Sequence, residues 1–548
     1  MDARSIVRRS VSRRPLTFSD VDYADIQGLV RFGHSHLDEA RFFLLQIKDP
    51  QAARSWLAAR LPPARRPPAY AVDGAEPDPT WVTTAVKDRL PPTALQVAFT
   101  HPGLRALGVP EKILDEFSIE FRSGMAERSR SRRLGDVAAN DPQYWKWGTG
   151  AKIPHVLLML YARKDELTAL EARVQDGVWD KAFSLLPSLS TNDIGNIEPF
   201  GFVDGASQPV IDWERQPRRL RTSRDYTNMA AVGEFLLGYP NEYCRYTDRP
   251  LLDPRDDPGK ILPLAEDAPG KRDLGRNGTY LVLRDLAQDV VQFWQFLDGH
   301  AKHDPQQRER LASAMVGRMR ADDAPVAGSP IMPLRQDAIA GVAYQVDEKR
   351  RMEDLWRNQF TFDADPDATA CPFGAHIRRA NPRNADLPAG TRGPISKLLR
   401  TLGFDSKGPH ADLLASTRFH RILRRGREYG RRLTPEDAIQ GKQRDEKRGL
   451  RFICLNANIS RQFEFVQGAW IANPKFSGTD EGDPLLGTRK PLWTGRPTSG
   501  FTRPQDAGLP CRTAGLSQFV TVRGGAYFFL PGISALRYLA TGPAKSVN

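Results

Sequence analysis

The stretch "ARFFLLQIKDPQAARSWLAARL" (Ala40 to Leu61) holds two elements in sequence. Six of its first eight residues are apolar, and the run reads as a buried strand. Pro50 suits the first turn of a helix, where its missing N–H costs nothing. Ala53, Trp56, Leu57 and Leu61 then recur at helical spacing. Further on, "ALQVAFT" (Ala94 to Thr100) alternates Leu95, Val97 and Phe99, which predicts a strand with one buried face. "PHVLLMLYA" (Pro154 to Ala162) is a continuous apolar strand. "KDELTALEARV" follows as a helix, with Leu167, Leu170 and Val174 on one side. The order β-α-β-β-α is most of a ferredoxin-like unit.

A second region carries the same order with longer insertions. "TYLVLRD" (Thr279 to Asp285) predicts a strand, and "QDVVQFWQFL" a helix with Val290, Phe293, Trp294 and Leu297 inward. "GLRFICLNAN" (Gly449 to Asn458) predicts another strand. "ISRQFEFVQGAWI" sets Ile459, Phe463, Val466 and Trp470 on one helical face. "FVTVRGGAYFFLPG" (Phe519 to Gly532) reads as two strands around a Gly524-Gly525 hairpin turn. The expectation is an α+β protein of two related domains.

Composition narrows the function classes. A chain of 548 residues exceeds one small core, and 40% hydrophobic with 26% charged residues is ordinary for a globular protein. "ARFFLLQI" is too short to span a bilayer. "MDARSIVRRSVSRRP" has arginines but no apolar core, so no membrane association and a cytoplasmic location are expected. Cys244, Cys371, Cys454 and Cys511 form no CxxC pair, which disfavours a zinc ribbon, and no CxxCH, which excludes covalently attached c-type haem. The formal charge of +13 resembles a nucleic-acid signal. Most of it lies in two places: Met1 to Arg14, with five Arg and one Asp, and Arg418 to Arg432, with seven Arg and one Glu. The first reads as a disordered tail.

Three stretches carry candidate chemistry. In "CPFGAHIRRANPR" (Cys371 to Arg383), His376 precedes Arg378, Arg379 and Arg383. A lone histidine is most often a hydrogen-bonded structural residue. Neutral imidazole is also a good axial ligand for haem iron, and arginine suits the two haem propionates, so Arg378 or Arg383 could supply counter-charge. In "EPFGFVDGASQP" (Glu198 to Pro209), Asp204 lies between Gly201 and Gly205, where backbone can approach a ligand. It is either a turn aspartate or a carboxylate general base. In "FHRILRRGREYG", a strand from Arg418 to Arg424 would place Arg418, His420, Ile422 and Arg424 on one face. A buried arginine there needs a carboxylate, a propionate or a bound peroxide.

In order, "GFVDG", "CPFGAHIRRANPR" and "RILRRG" resemble the three haem-site motifs of the dye-decolorising peroxidases. "DIQGLVRFGHSHLDEARFFLL", "FLLGYPNEY", "GTYLVLRDLAQDVVQFW", "LNANISRQFEFVQ" and "VTVRGGAYFFLPG" extend the resemblance from about Asp20 to about Leu539. The long insertions are similar to the larger, advanced subgroup. The resemblance implies two ferredoxin-like domains in a dimeric α+β barrel arrangement, with one non-covalent haem b seated mainly in the C-terminal domain. Hydrogen peroxide and a bulky aromatic electron donor are the implied partners; homo-oligomerisation is left open. The expected layout is a tail at 1–15, an N-terminal domain at 16–200, a connecting region at 201–278 and a haem-binding domain at 279–548. By motif position, His376 becomes the proximal iron ligand, Asp204 the distal acid–base and Arg424 the distal arginine. Arg378, Arg383 and Gly205 are expected at the cofactor. Gly426 stands where relatives with manganese activity have Asn, which argues against that activity. Asn458 stands where many relatives have the acid that bonds the proximal histidine. A guanidinium beside the distal carboxylate favours its ionised form, so an acidic optimum is expected for donor oxidation. Tyr429, Trp470, Trp356 and Tyr344 are candidates, by type, to relay electrons. The competing readings are a haem-handling protein with little turnover, and a nucleic-acid-binding protein using Arg418 to Arg432.

Overall fold

The structure, a computed structural model, describes residues 21–63, 78–86, 90–192, 197–205, 207–215, 229–320, 331, 358, 360, 362, 365–383 and 416–542. The expected basic tail lies outside these residues, as do Trp356 and Tyr344.

The opening stretch folds as its pattern predicts. Strand β1 (Glu39–Ile47) leads into a helix at Pro50–Ala59. Asp49 caps it: its carboxylate accepts the amides of Gln51 (2.9 Å) and Ala52 (3.0 Å). Trp56 and Leu57 are buried, and the Trp56 indole donates to the Val174 carbonyl (3.0 Å), tying this helix to the one at Leu167–Val174. Strands β2 (Thr93–Phe99), β3 (Val156–Ala162) and β4 (Phe183–Leu185) complete the unit. All pairings are antiparallel, with Phe42 opposite Met159, Val97 opposite Leu158 and Ile47 opposite Phe183, giving the order β2-β3-β1-β4.

The C-terminal half repeats the arrangement. Strand β5 (Thr279–Gln288) runs into the helix Val290–His300, which Asp289 caps through the Gln292 amide (2.8 Å). Short strands β6 (Leu423–Arg424) and β7 (Arg427–Tyr429) pair one after the other along the same edge of β8 (Gly449–Asn456), and β9 (Val520–Leu530) closes the unit in the order β6-β8-β5-β9. The halves join where Phe529 of β9 pairs with Phe99 of β2. At the opposite seam the Asn192 amide donates to the Glu428 carbonyl (3.1 Å). The result is an α+β barrel. Phe42, Leu44, Met159, Leu283, Ile453 and Phe528 pack in its interior. Phe43, Leu45, Val97, Val282, Cys454 and Tyr527 face the outer layer of helices.

Three expectations change. Strand β2 is buried on both faces, because the barrel interior covers one and helices the other. Gly524 and Gly525 form no hairpin; they lie inside the single strand β9, beside a bulge opposite Asp285 and Leu286. A Cβ on Gly524 would stand 2.4 Å from the Trp147 indole nitrogen, so the glycine serves close approach, not a turn. Residues 418–424 form no continuous strand. Ser416–His420 is a 3₁₀ turn, and only Leu423–Arg424 pairs with β8. No helix among the described residues is long and apolar enough to cross a membrane.

Candidate haem site

One large pocket lies on the outer face of the C-terminal half-sheet. Its floor is made by alternate residues of the strands, such as Leu286, Leu450, Phe452 and Val522. The opposing wall includes Phe463, Val466 and Trp470 of "ISRQFEFVQGAWI", which is wound as π-helix over Ser460–Glu464 and Val466–Ile471. Such wide turns often mark functional sites.

His376 opens the short helix His376–Ala380 and lines this pocket. Its Nδ1 lies 2.9 Å from a carboxylate oxygen of Asp483, a fully buried side chain. That leaves Nε2 as the nitrogen available to a metal. The other Asp483 oxygen accepts the amides of Leu485 (2.9 Å) and Leu486 (2.8 Å). Burial pushes the Asp483 carboxyl up, but His376, Arg379 and the Leu486 amide outweigh it and hold the group below the usual carboxylate range. The histidine therefore faces an ionised acid. Asn458, expected in that place, instead accepts the Arg461 amide (2.8 Å) at the start of the π-helical stretch.

Asp204 and Arg424 line the same pocket as His376. Arg424 Nη1 donates to Asp204 Oδ1 (2.9 Å), and its Nη2 to the Ser207 carbonyl (3.0 Å). The Arg424 amide donates to Gln208 Oε1 (3.0 Å), so both termini of the residue are tied to the Asp204 turn. Gly205 is exposed and is absent from the residues that line the pocket. Its left-handed backbone turns its amide onto Asp204 Oδ1 (2.6 Å), so it shapes the turn and does not meet the cofactor space.

The arginines divide by role. Arg378, expected at a propionate, does not line the pocket. Its guanidinium is buried under Phe362 and Phe373 and spent on the Asp365 carboxylate (2.8 Å) and the Cys371 carbonyl (2.6 Å). Arg318 and Arg421, which sequence reasoning did not single out, do line it. Arg383 is not among the lining residues, but it donates to Ser207 Oγ (3.1 Å), which is, and to the Asn358 carbonyl (2.8 Å). Burial first, then Arg318 and Arg421, push the Arg383 guanidinium far below its ordinary value. Burial and Arg418 push Arg421 down to about 10, although Glu242 and Glu234 oppose them. Those two glutamates already pair with Arg418 (3.2 Å) and Arg461 (2.8 Å). The Nε atoms of Arg383 and Arg421 are buried without a hydrogen-bond partner among the described residues. Cations gathered in this way fit an anionic occupant. A haem with two propionates meets that demand, and Phe463, Val466, Ile377 and Leu486 supply apolar contact for its rings.

Most of the remaining basic cluster is used internally, although Arg431 and Arg432 are exposed. Arg418 and Arg427 are buried, and Arg425 donates to the carbonyls of Leu29 (2.9 Å) and Val30 (2.9 Å). Of the aromatic candidates, Trp470 lines the pocket. Tyr429 does not; it is buried beneath the Arg451 guanidinium (3.7 Å).

Comparison with known proteins agrees with this geometry. The profile of the DyP dimeric alpha+beta barrel domain matches residues 25–191. The dye-decolorizing peroxidase msp1 of Mycetinis scorodonius is 30% identical, over 82% of this chain and 76% of its own. The multifunctional dye peroxidase DyP2 of Amycolatopsis sp. is 30% identical, over 81% of this chain and 82% of its own. In fold, the chain is similar to the crystal structure of a decolorizing peroxidase from Auricularia auricula-judae, with TM-score 0.65 at 23% identity, covering 95% of this chain and all of that one. Identity at this level across most of both chains, on the same barrel, makes the protein a member of the dye-decolorizing peroxidase family of haem enzymes.

Proposed function

We propose that the pocket seats one non-covalent haem b and that the protein reduces hydrogen peroxide while oxidising bulky aromatic donors, such as dyes and phenolics, by one-electron steps. Its family makes it a peroxidase. The observation that carries the finer reading is the meeting of His376, Asp204 and Arg424 on one pocket from three distant parts of the chain. Arg421, Arg318 and Arg383 are the propionate partners, and the haem-binding unit begins at residue 279, with 201–278 as the connection that carries Asp204.

When bound, haem supplies the iron at which peroxide is cleaved and the oxidising equivalents that donors discharge. The chain's residues do the rest. His376 offers Nε2 to the iron while Asp483 fixes the tautomer and sets negative charge behind the ring. Asp204 would take a proton from one peroxide oxygen and deliver it to the other, which would leave as water. Arg424 steadies the negative charge that develops as the O–O bond breaks, and its bond to Asp204 keeps the carboxylate aimed. Steady-state oxidation of an anthraquinone dye with peroxide tests this. Turnover in the wild type and its loss in Asp204→Asn and Arg424→Leu support the reading. A haem-loaded wild type without turnover refutes it.

A further inference from the structure

The turn that presents Asp204 is held by a second acid. Glu198 lines the pocket wall six residues upstream. One of its oxygens accepts the Phe202 amide (2.9 Å); the other accepts the Phe200 amide (3.0 Å) and Gln288 Nε2 (2.7 Å). Its own backbone closes the turn, donating to the Phe202 carbonyl (2.8 Å) and accepting the Gly201 amide (2.8 Å). No cation pairs with Glu198 among the described residues, although Arg284 and Arg451 line the same pocket. Those two guanidiniums are bonded to Asp136 and Asp285. Arg320, whose side chain lies against Gly201, is bonded to Glu309 (2.9 Å). A carboxylate held only by neutral donors is costly to keep charged. Burial pushes the Glu198 carboxyl up to about 7; the Phe202 amide, Gln288 and the Phe200 amide oppose the rise, and Asp204 adds to it.

Gln288 is built for both forms. Its Nε2 donates to Glu198, while its Oε1 is buried and unpartnered among the described residues. That orientation suits an ionised Glu198. Once Glu198 takes a proton, turning the amide lets Oε1 accept it, and the orphan is satisfied.

We propose that Glu198, with Gln288 as its partner, is a positioning residue that sets the upper pH limit of peroxide activation. This rests on the peroxidase reading. The Asp204–Arg424 pair is neutral overall. With Glu198 protonated, Arg424 acts undiminished on the charge that develops on peroxide. With Glu198 ionised, a further negative charge stands beside Asp204 and opposes that development.

The test is kcat/KM for peroxide against pH on the haem-loaded enzyme, with difference infrared titration of the carboxyl groups as a readout independent of turnover. The wild type should fall about tenfold above neutrality, with a protonated-carboxyl band fading over the same range. Glu198→Gln should lose both the band and the fall. Gln288→Leu removes a donor to the carboxylate, so both inflections should move to higher pH; this variant carries the test if Glu198→Gln fails to fold. A fall unchanged in either variant, or no titrating band in the wild type, overturns the proposal and leaves the peroxidase standing. A wild type that binds haem but does not turn over peroxide overturns both.

Discussion

At the scale of single residues, the site depends on two carboxylates in opposite roles. Asp483 is fixed by His376 and two amides and stays ionised. Asp483→Asn keeps the shape and removes the charge. Haem should still bind, and the peroxide reaction should slow by about 10–100-fold, the range typical of lost partners behind a metal ligand, as stopped-flow absorbance would show. Asp204 is tied to Arg424 and is the proposed proton shuttle. Asp204→Asn should cut kcat/KM for peroxide by about 10²–10⁴-fold with the haem spectrum retained.

His376, Asp204 and Arg424 were legible in the sequence because each sits in a compact motif. Asp483 was not. It lies 107 residues beyond His376, and no spacing links the two. The arginines failed differently. On a helix, each residue turns about 100° from the last. His376, Ile377 and Ala380 face the pocket, so Arg378 is carried to the buried side, where Asp365 meets it. Proximity in sequence to the ligand was mistaken for proximity in space.

At the scale of elements, the strand–helix reading of Ala40 to Leu61 matches the structure because its signals are local: an apolar run, a proline in the first turn and apolar residues at helical spacing, to which the structure adds the Asp49 cap. The Gly524-Gly525 pair misled because glycine serves turns and close contacts alike. Only the tertiary neighbour Trp147 decides between them. Gly426 is a similar case. A Cβ there would stand 2.6 Å from the Arg451 carbonyl oxygen and 3.0 Å from the Ile453 nitrogen, both rigid backbone of the neighbouring strand. Gly426→Asn should therefore destabilise the fold by about 1–3 kcal/mol, seen as a lowered unfolding midpoint, and should not add a metal site. An unchanged midpoint would show that β6 and β8 separate more easily than their pairing suggests.

At the scale of the whole molecule, the barrel interior holds a pH-sensitive group. His34 is fully buried, and neither ring nitrogen has a hydrogen-bond partner among the described residues. Burial first, then His36, Arg427 and Arg425, lower it well below its ordinary value, so it is neutral in the fold. The unfolded chain takes up a proton near pH 6.5, which the native state refuses. Its contribution to stability is thus present above about pH 6.5 and lost as pH falls below it. Thermal unfolding midpoints should drop between neutral pH and pH 5, and His34→Phe should flatten that drop. An equal slope in the variant would assign the acid sensitivity elsewhere.

The central claim is that His376 holds haem iron in the pocket shared with Asp204 and Arg424. The visible absorption spectrum of the purified protein, before and after peroxide and repeated with His376→Ala, tests it most directly. The wild type should show a Soret band that changes on peroxide addition, and the variant should lose the band or its response. A wild type without a Soret band, or a variant with an unaltered spectrum and response, would contradict the claim.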